Sequence, residues 1–389
     1  MKRFLHILLF TTLFITACGS AETTPTPVPG TELPATPEET VTELPPTITF
    51  EPTPLPYGPT GFPAEVNPLT GLMVANPALL ERRPMLIKIQ NLPRSSRPQW
   101  GLSRADLVFE YYTEEGGNRF AALFYGTDAD MVGPIRSSRP IDIYLTQAYD
   151  AIFAFIGGYQ GTLDRLYSSA FADRLVERGF DSPIFSYDPA VMDYKLVNTA
   201  ELSAYITGKG VENGRQNQDG MSFQWDPPPG GEAAADVYVR FWGAVYNHWQ
   251  YDPVSGRYLR FVDNVTDELC GLGEEYVPHT DRLTGEALAA DNVVVLMVPY
   301  QIVVWEVWDI QLIGSGTAYA FRDGQMYELT WQRTATDAVI SLAYADGTPF
   351  PFKQGTTWFE VIGAGSRVRE TDQGLRFTHL LPGVPSCPE

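Results

Sequence analysis

Ala105-Asp-Leu-Val-Phe-Glu-Tyr-Tyr112 and Arg119-Phe-Ala-Ala-Leu-Phe-Tyr-Gly126 are two apolar runs separated by Thr113-Glu-Glu-Gly-Gly-Asn118. Each is rich in aromatic and aliphatic side chains and is bounded by Gly, Asn or Asp, the pattern of a strand. Gly116-Gly117-Asn118 between them reads as a hairpin turn. Working outward, residues 84–91 (PMLIKIQN) and 151–158 (AIFAFIGG) read as further strands. Residues 141–149 (IDIYLTQAY) predict a short helix opened by Pro140, because the first helical position leaves its N–H unsatisfied and Pro has none to lose. Asn198-Thr-Ala-Glu201 is a capping-box-like start for a helix that ends at the glycines of LSAYITGKG. A further helix is expected around 162–178.

Downstream the pattern changes. Residues 235–242 (ADVYVRFW), 248–252 (HWQYD) and 257–263 (RYLRFVD) alternate, and the last two flank Pro253-Val-Ser-Gly256, a hairpin turn. Asp323-Gly324 and Asp346-Gly347 are strong hairpin signals inside further β-rich sequence. Residues 213–234, with their Asn, Gln and Pro-Pro-Pro-Gly-Gly, separate the two regions. The expected fold is α+β: a mixed α/β N-terminal domain over 66–225, then a mostly antiparallel β domain over 226–389.

Residues 1–17 read as an export signal: Lys2 and Arg3 form its positive start and residues 4–15 an apolar stretch too short to span a membrane. Ile15-Thr-Ala-Cys18 reads as a bacterial lipobox, with Cys18 taking a diacylglyceryl group. Two acyl chains hold a protein stably at a membrane. Residues 18–65 hold many Thr and Pro, seven Glu and no Lys or Arg. Such a segment buries too little apolar surface to offset its ordering entropy, so it reads as a disordered tether. The chain is thus expected at the cell membrane, lipid-anchored on the extracytoplasmic face.

The 389 residues carry a net charge of −20. A chain this acidic is a poor general nucleic-acid binder, since phosphate recognition needs a basic surface. No G-x-S-x-G, P-loop, H-E-x-x-H or C-x-x-C occurs. His248, His279 and His379 share no ligand spacing, so no metal and no cofactor is expected. Thr127-Asp-Ala-Asp130 is half of a calcium loop without its closing residues and reads as a solvated turn. Cys270 and Cys387 could form one disulfide outside the cell, or remain separate.

Local charge is more informative. Between Arg82 and Arg139 nine basic residues, eight of them Arg, face six acidic ones, a local net charge of +3. Arginine suits planar, bidentate recognition of carboxylate or phosphate. Gly133-Pro-Ile-Arg-Ser-Ser-Arg-Pro140 concentrates the signal at the predicted start of a helix, where free N–H groups attract anions. Arg97, Arg119, Arg136, Ser137, Ser138 and Arg139 are therefore candidates for an anion site. The alternative is that Arg136 and Arg139 pair with Asp106, Glu110 or Asp142 inside the domain. Asp106 and Glu110 lie four apart on one strand, on one face, and are weak candidates for a general acid/base pair. Six Trp of the second region either fill its core or offer exposed stacking surfaces.

Further motifs run in order along the chain: Asn67-Pro-Leu-Thr-Gly-Leu72, Arg83-Pro84 before a strand ending at Asn91, and Arg97-Pro-Gln-Trp-Gly-Leu-Ser-Arg-Ala-Asp106 leading into Glu110. Gly117-Asn-Arg-Phe120, the Gly133–Pro140 octapeptide and Tyr149-Asp-Ala-Ile152 with Gly157-Gly158 continue them. Tyr251-Asp-Pro253, Tyr258-Leu-Arg260, Asp291-Asn-Val-Val-Val295, Gly314-Ser-Gly-Thr-Ala318 and Gly355-Thr-Thr-Trp358 complete the set. In these the chain resembles the YerB-like lipoproteins, whose shared region is a domain of unknown function numbered 3048, with N- and C-terminal parts. The resemblance spans nearly all of 67–389, and the Thr/Pro/Glu tether lies outside it. It implies a bacterial envelope lipoprotein and supplies no reaction and no catalytic residues. The expectation is a non-enzymatic envelope protein that binds a wall component or a membrane-associated protein through its Arg-rich face. The rival expectation is a hydrolase or lyase of wall glycan or peptide, with Asp106 and Glu110 as acid and base.

Overall fold

In a computed structural model, which describes residues 56–187, 193–305 and 307–385, the four N-terminal apolar runs become Met85–Gln90 (β1), Leu107–Tyr112 (β2), Asn118–Phe124 (β3) and Ile152–Phe155 (β4). They are buried along almost their whole length. Strands covered on both faces have no polar side to show, which is why they read as continuous apolar runs rather than as alternation. Pro140–Ala148 (α1), Gln160–Tyr167 (α2) and Thr199–Gly208 (α3) are the helices. The helix expected over 162–178 stops at Tyr167. The Ser168 and Ser169 hydroxyls donate to the carbonyls of Asp164 and Leu166 and close its last turn. Leu175–Glu177 (β5) then pairs parallel to β4, a strand too short to be seen in the sequence.

The C-terminal half contributes Asp236–Trp242 (β6), Val245–Asp252 (β7), Arg257–Asp263 (β8), Asn292–Val298 (β9), Gly314–Arg322 (β10), Gln325–Arg333 (β11), Ser341–Ala343 (β12), Thr357–Gly363 (β13), Arg367–Thr371 (β14) and Gly374–Thr378 (β15). The β10–β11 turn holds Asp323 at φ 54° and Gly324 at φ 71°, the left-handed pair that an Asp-Gly hairpin requires. The fold is α+β, with a mixed α/β half followed by a mostly β half.

The two halves share one 11-stranded sheet, in the order β12-β11-β10-β9-β13-β2-β3-β1-β4-β5 with Glu232–Ala233 added beside β11. β2 lies between β3, its antiparallel hairpin partner, and β13, a parallel partner from the far end of the chain. The segment boundary near 213–234 is therefore not a boundary of the sheet. A second, 7-stranded sheet contains β8-β7-β6-β15-β14. Side chains of β7 and β8 reach those of β2 and β13, so a buried layer joins the sheets.

Residues 57–65, expected as the end of the tether, belong to the fold. Tyr57 exchanges both backbone hydrogen bonds with Phe223, and the Phe62 ring packs edge-on against Phe223. The export signal, Cys18, the tether up to residue 55 and Cys387 lie outside the described residues. No helix among the described residues is long and apolar enough to cross a membrane.

Candidate functional site

The Gly133–Pro140 octapeptide is bolted to two strands. The Arg136 N–H donates to the Lys88 carbonyl of β1 (3.0 Å), and the Ile156 N–H at the end of β4 donates to the Arg136 carbonyl (3.1 Å). Both the N–H and the hydroxyl of Ser138 donate to the Gly157 carbonyl. The Ser138 hydroxyl is thus engaged and buried, while Arg136 projects into solvent.

Three elements converge beside Arg136. β3 supplies Arg119, α1 is entered at Arg139, and the β2–β3 turn supplies Glu114. The Glu114 carboxylate accepts from Arg119 Nη2 (2.7 Å) and Arg139 Nε (2.6 Å), and it also meets Arg139 Nη2. The Ser137 carbonyl accepts from both guanidiniums, at 3.0 and 3.4 Å, and the Ser138 carbonyl from Arg139 at 2.6 Å. Burial lowers the pKa of Arg119 to about 10, helped by the neighbouring Arg136 charge. Burial likewise lowers Arg139 to about 10. Arg136 has no hydrogen bond or ion pair from its side chain to an acid among the described residues. Of the alternative pairings of Arg136 and Arg139 with Asp106, Glu110 or Asp142, none forms through an arginine side chain: Arg139 pairs with Glu114, and only its backbone N–H reaches Asp142.

The helix N-terminus is not an open anion site. Pro140 has no N–H, and the Arg139 N–H donates to Asp142 Oδ2 (2.6 Å). Asp142, at the third helical position, carries the negative charge that the helix dipole favours there. Its other oxygen accepts from Lys88 Nζ at 3.1 Å and from the Tyr111 hydroxyl, which also meets Lys88. All three groups are fully buried. Burial lowers the Lys88 pKa to about 7 and raises that of Tyr111 well above its ordinary value. An internally paired lysine and carboxylate therefore lie next to Arg119 and Arg139. Lys88 was legible only as a charge in the middle of an apolar strand.

The other sequence candidates go elsewhere. Arg97 is held bidentately by the Asp263 carboxylate, at 3.0 Å on each side, with Asn91 Oδ1 at 2.8 Å from its Nε, and its side chain is only 8% exposed. It ties the N-terminal half to β8 and is not available as an anion ligand. Asp106 and Glu110 share no partner. Asp106 accepts from Asn67 Nδ2 (2.8 Å) and from the N–H groups of Tyr125 and Gly126 (2.5 and 3.1 Å), at the edge of a cleft of 310 Å³. Burial raises its pKa to about 6 against these bonds.

Glu110 is completely enclosed between the sheets. Arg260 Nη2 donates to it at 2.6 Å, Trp358 Nε1 at 3.2 Å and Asn247 Nδ2 at 3.4 Å, and Asn118 donates to its other oxygen. The β2–β13 register sets it beside Glu360, whose pKa is raised well above the usual carboxylate range by burial and by the Glu110 charge. Glu110 is closed to any substrate, so the expected acid/base pair is not assembled. Sequence reading missed Arg260 and Glu360, since each becomes a partner only through strand pairing and sheet stacking.

Among the Trp residues, Trp249, Trp308, Trp331 and Trp358 are core, while Trp242 and Trp305 are exposed. Asp128 of the half calcium loop is paired with Arg82 at 2.7 Å and accepts from the Thr199 hydroxyl. Cys270 is disulfide-bonded. No cluster of three or more His, Cys, Asp or Glu among the described residues is arranged to hold a metal ion.

Residues 69–214 match the protein of unknown function (DUF3048) N-terminal domain, and residues 237–359 its C-terminal domain. The chain is similar to a Bacillus subtilis (strain 168) protein named "Putative lipoprotein YerB", with 29% identity over 302 residues, 76% of this chain and 85% of that protein. The crystal structure of the YerB protein from Bacillus subtilis superposes with a TM-score of 0.63 at 26% identity, covering 76% of this chain and 96% of that one. The matched ranges take in most strands of both sheets and the arginine cluster, and the chain belongs to the family defined by the DUF3048 N-terminal and C-terminal domains.

Proposed function

We propose that this protein is an extracytoplasmic lipoprotein, anchored through Cys18, that captures an anionic group of a wall component or of a membrane-associated protein through Arg119, Arg136 and Arg139. The observation that carries the reading is Arg136: an exposed guanidinium on a rigid loop, beside Arg119, with no acid paired to it among the described residues. An exposed guanidinium without a carboxylate partner, next to two further arginines, attracts anions at close range. The lipobox, the tether and the lipoprotein name of the Bacillus subtilis relative support the location. The enclosure of Glu110 favours capture over hydrolysis.

The test uses the full-length chain in detergent with purified wall sacculi and, separately, with solubilised envelope membranes. The wild type is expected to be retained by one of them and released by salt, with Arg136→Ala losing most of the retention. Equal retention of the variant would overturn the assignment of the site. A Cys18→Ser chain is expected to leave the membrane fraction.

A further inference from the structure

The arginine cluster already holds a carboxylate, and that carboxylate is the chain's own. Glu114 offers one oxygen to Arg119 Nη2 and Arg139 Nη2, and the other to Arg139 Nε at 2.6 Å. This is the planar fork by which guanidinium recognises carboxylate. The seat is pre-set: the carbonyls of Ser137 and Ser138 fix the remaining edges of both guanidiniums, and the octapeptide loop is tied to β1 and β4.

The occupant is less firmly held than the seat. Glu114 lies in the β2–β3 turn, its side chain is 23% exposed, and among the described residues its carboxylate is held by the two arginines alone. Rotation about its side-chain bonds is enough to carry it into solvent, with no change in the strands. Arg136, exposed alongside, adds a third cation that Glu114 does not satisfy.

We infer that Glu114 is an internal stand-in for the ligand, and that the site takes a carboxylate, such as the free C-terminus of a peptide, which displaces Glu114 from between Arg119 and Arg139. This rests on the capture reading above and names its ligand class. A seat occupied by its own carboxylate lowers the apparent affinity by the fraction of time it is open, so removing the internal charge must strengthen binding.

The experiment is calorimetric titration of the full-length chain in detergent with acetyl-alanyl-alanine, with the same peptide as its C-terminal amide, and with inorganic phosphate. Glu114→Gln is expected to bind the peptide acid about tenfold more tightly than the wild type, the scale of one charge-assisted contact. The amide is expected not to bind. Glu114→Ala, which cannot contact the arginines at all, repeats the test should the Gln variant fold poorly. Binding that is unchanged or weaker in both variants would make Glu114 a fixed clamp and overturn the inference, while an Arg136→Ala loss in the same titrations would leave the capture reading standing. Binding of phosphate without the peptide acid would overturn the carboxylate assignment alone. Binding of neither anion by any variant would overturn both.

Discussion

Arg260→Met tests how the two sheets are joined. Arg260 comes from β8 in one sheet and ends on Glu110 of β2 in the other, at 2.6 Å, with both side chains fully buried. Its guanidinium also lies 4.8 Å from the centroid of Trp358 and meets His279 Nδ1 at 2.5 Å. Methionine keeps much of the stem but removes the charge. Removing one member of a buried ion pair costs about 3–5 kcal/mol, because the other is left uncompensated. The lost contact with the Trp358 face adds about 1–2 kcal/mol. The new thioether packs into part of the vacated space, which leaves a net loss of about 4 kcal/mol by these same contributions.

Urea unfolding followed by tryptophan fluorescence reads this directly. With a slope of about 3 kcal/mol per molar, reasonable for a chain of this size, the midpoint falls by about 1.3 M. Adding Glu110→Gln removes the stranded charge and is expected to restore about half of the loss, since the single variant suffers mainly from an unpaired buried ion. A fall below about 0.3 M, or a double variant no more stable than Arg260→Met, would refute the idea that charge compensation holds this interface.

Lys88 and Asp106 predict opposite pH slopes in separate windows. Lys88 titrates near pH 7 in the folded chain and at 10.5 when unfolded. The unfolded state therefore binds more protons between those values, and stability rises with pH there by at most about 1.4 kcal/mol per unit. Lys88→Met is expected to flatten the rise in unfolding midpoint from pH 7 to pH 9; a wild type already flat in that range would refute it. Asp106 titrates near 6 folded and at 3.8 unfolded, so its contribution is complete below 3.8 and is lost as pH rises through 6. Thermal melts of Asp106→Asn between pH 4 and pH 6.5 should lack that loss, and a decline as steep as the wild type's would count against it.

The sequence carried the local parts of the candidate site. Glu114, Arg119, Arg136 and Arg139 lie within 26 residues, on a hairpin turn and a helix entrance that apolar runs, glycines and Pro140 mark. It could not say which acid Arg139 would choose. Glu110 and Glu114 look equivalent in the chain, yet β2 buries one between sheets and the turn offers the other to the arginines. Arg97 looked like a member of the same face and is instead consumed by Asp263, 166 residues away.

By itself the sequence determined the α+β class, the β1 to β4 runs, the Asp323-Gly324 hairpin and the family, because these depend on side-chain period, turn chemistry and motif order over short spans. Only the tertiary structure decided that the two halves share one sheet, that Glu110 meets Glu360 and Arg260, and that Lys88 lies beneath the arginines. The physical reason is that strand pairing and sheet stacking are set by the whole buried surface. A charged residue on a strand reads the same in the chain whether it will face water, a substrate or another charge in the core.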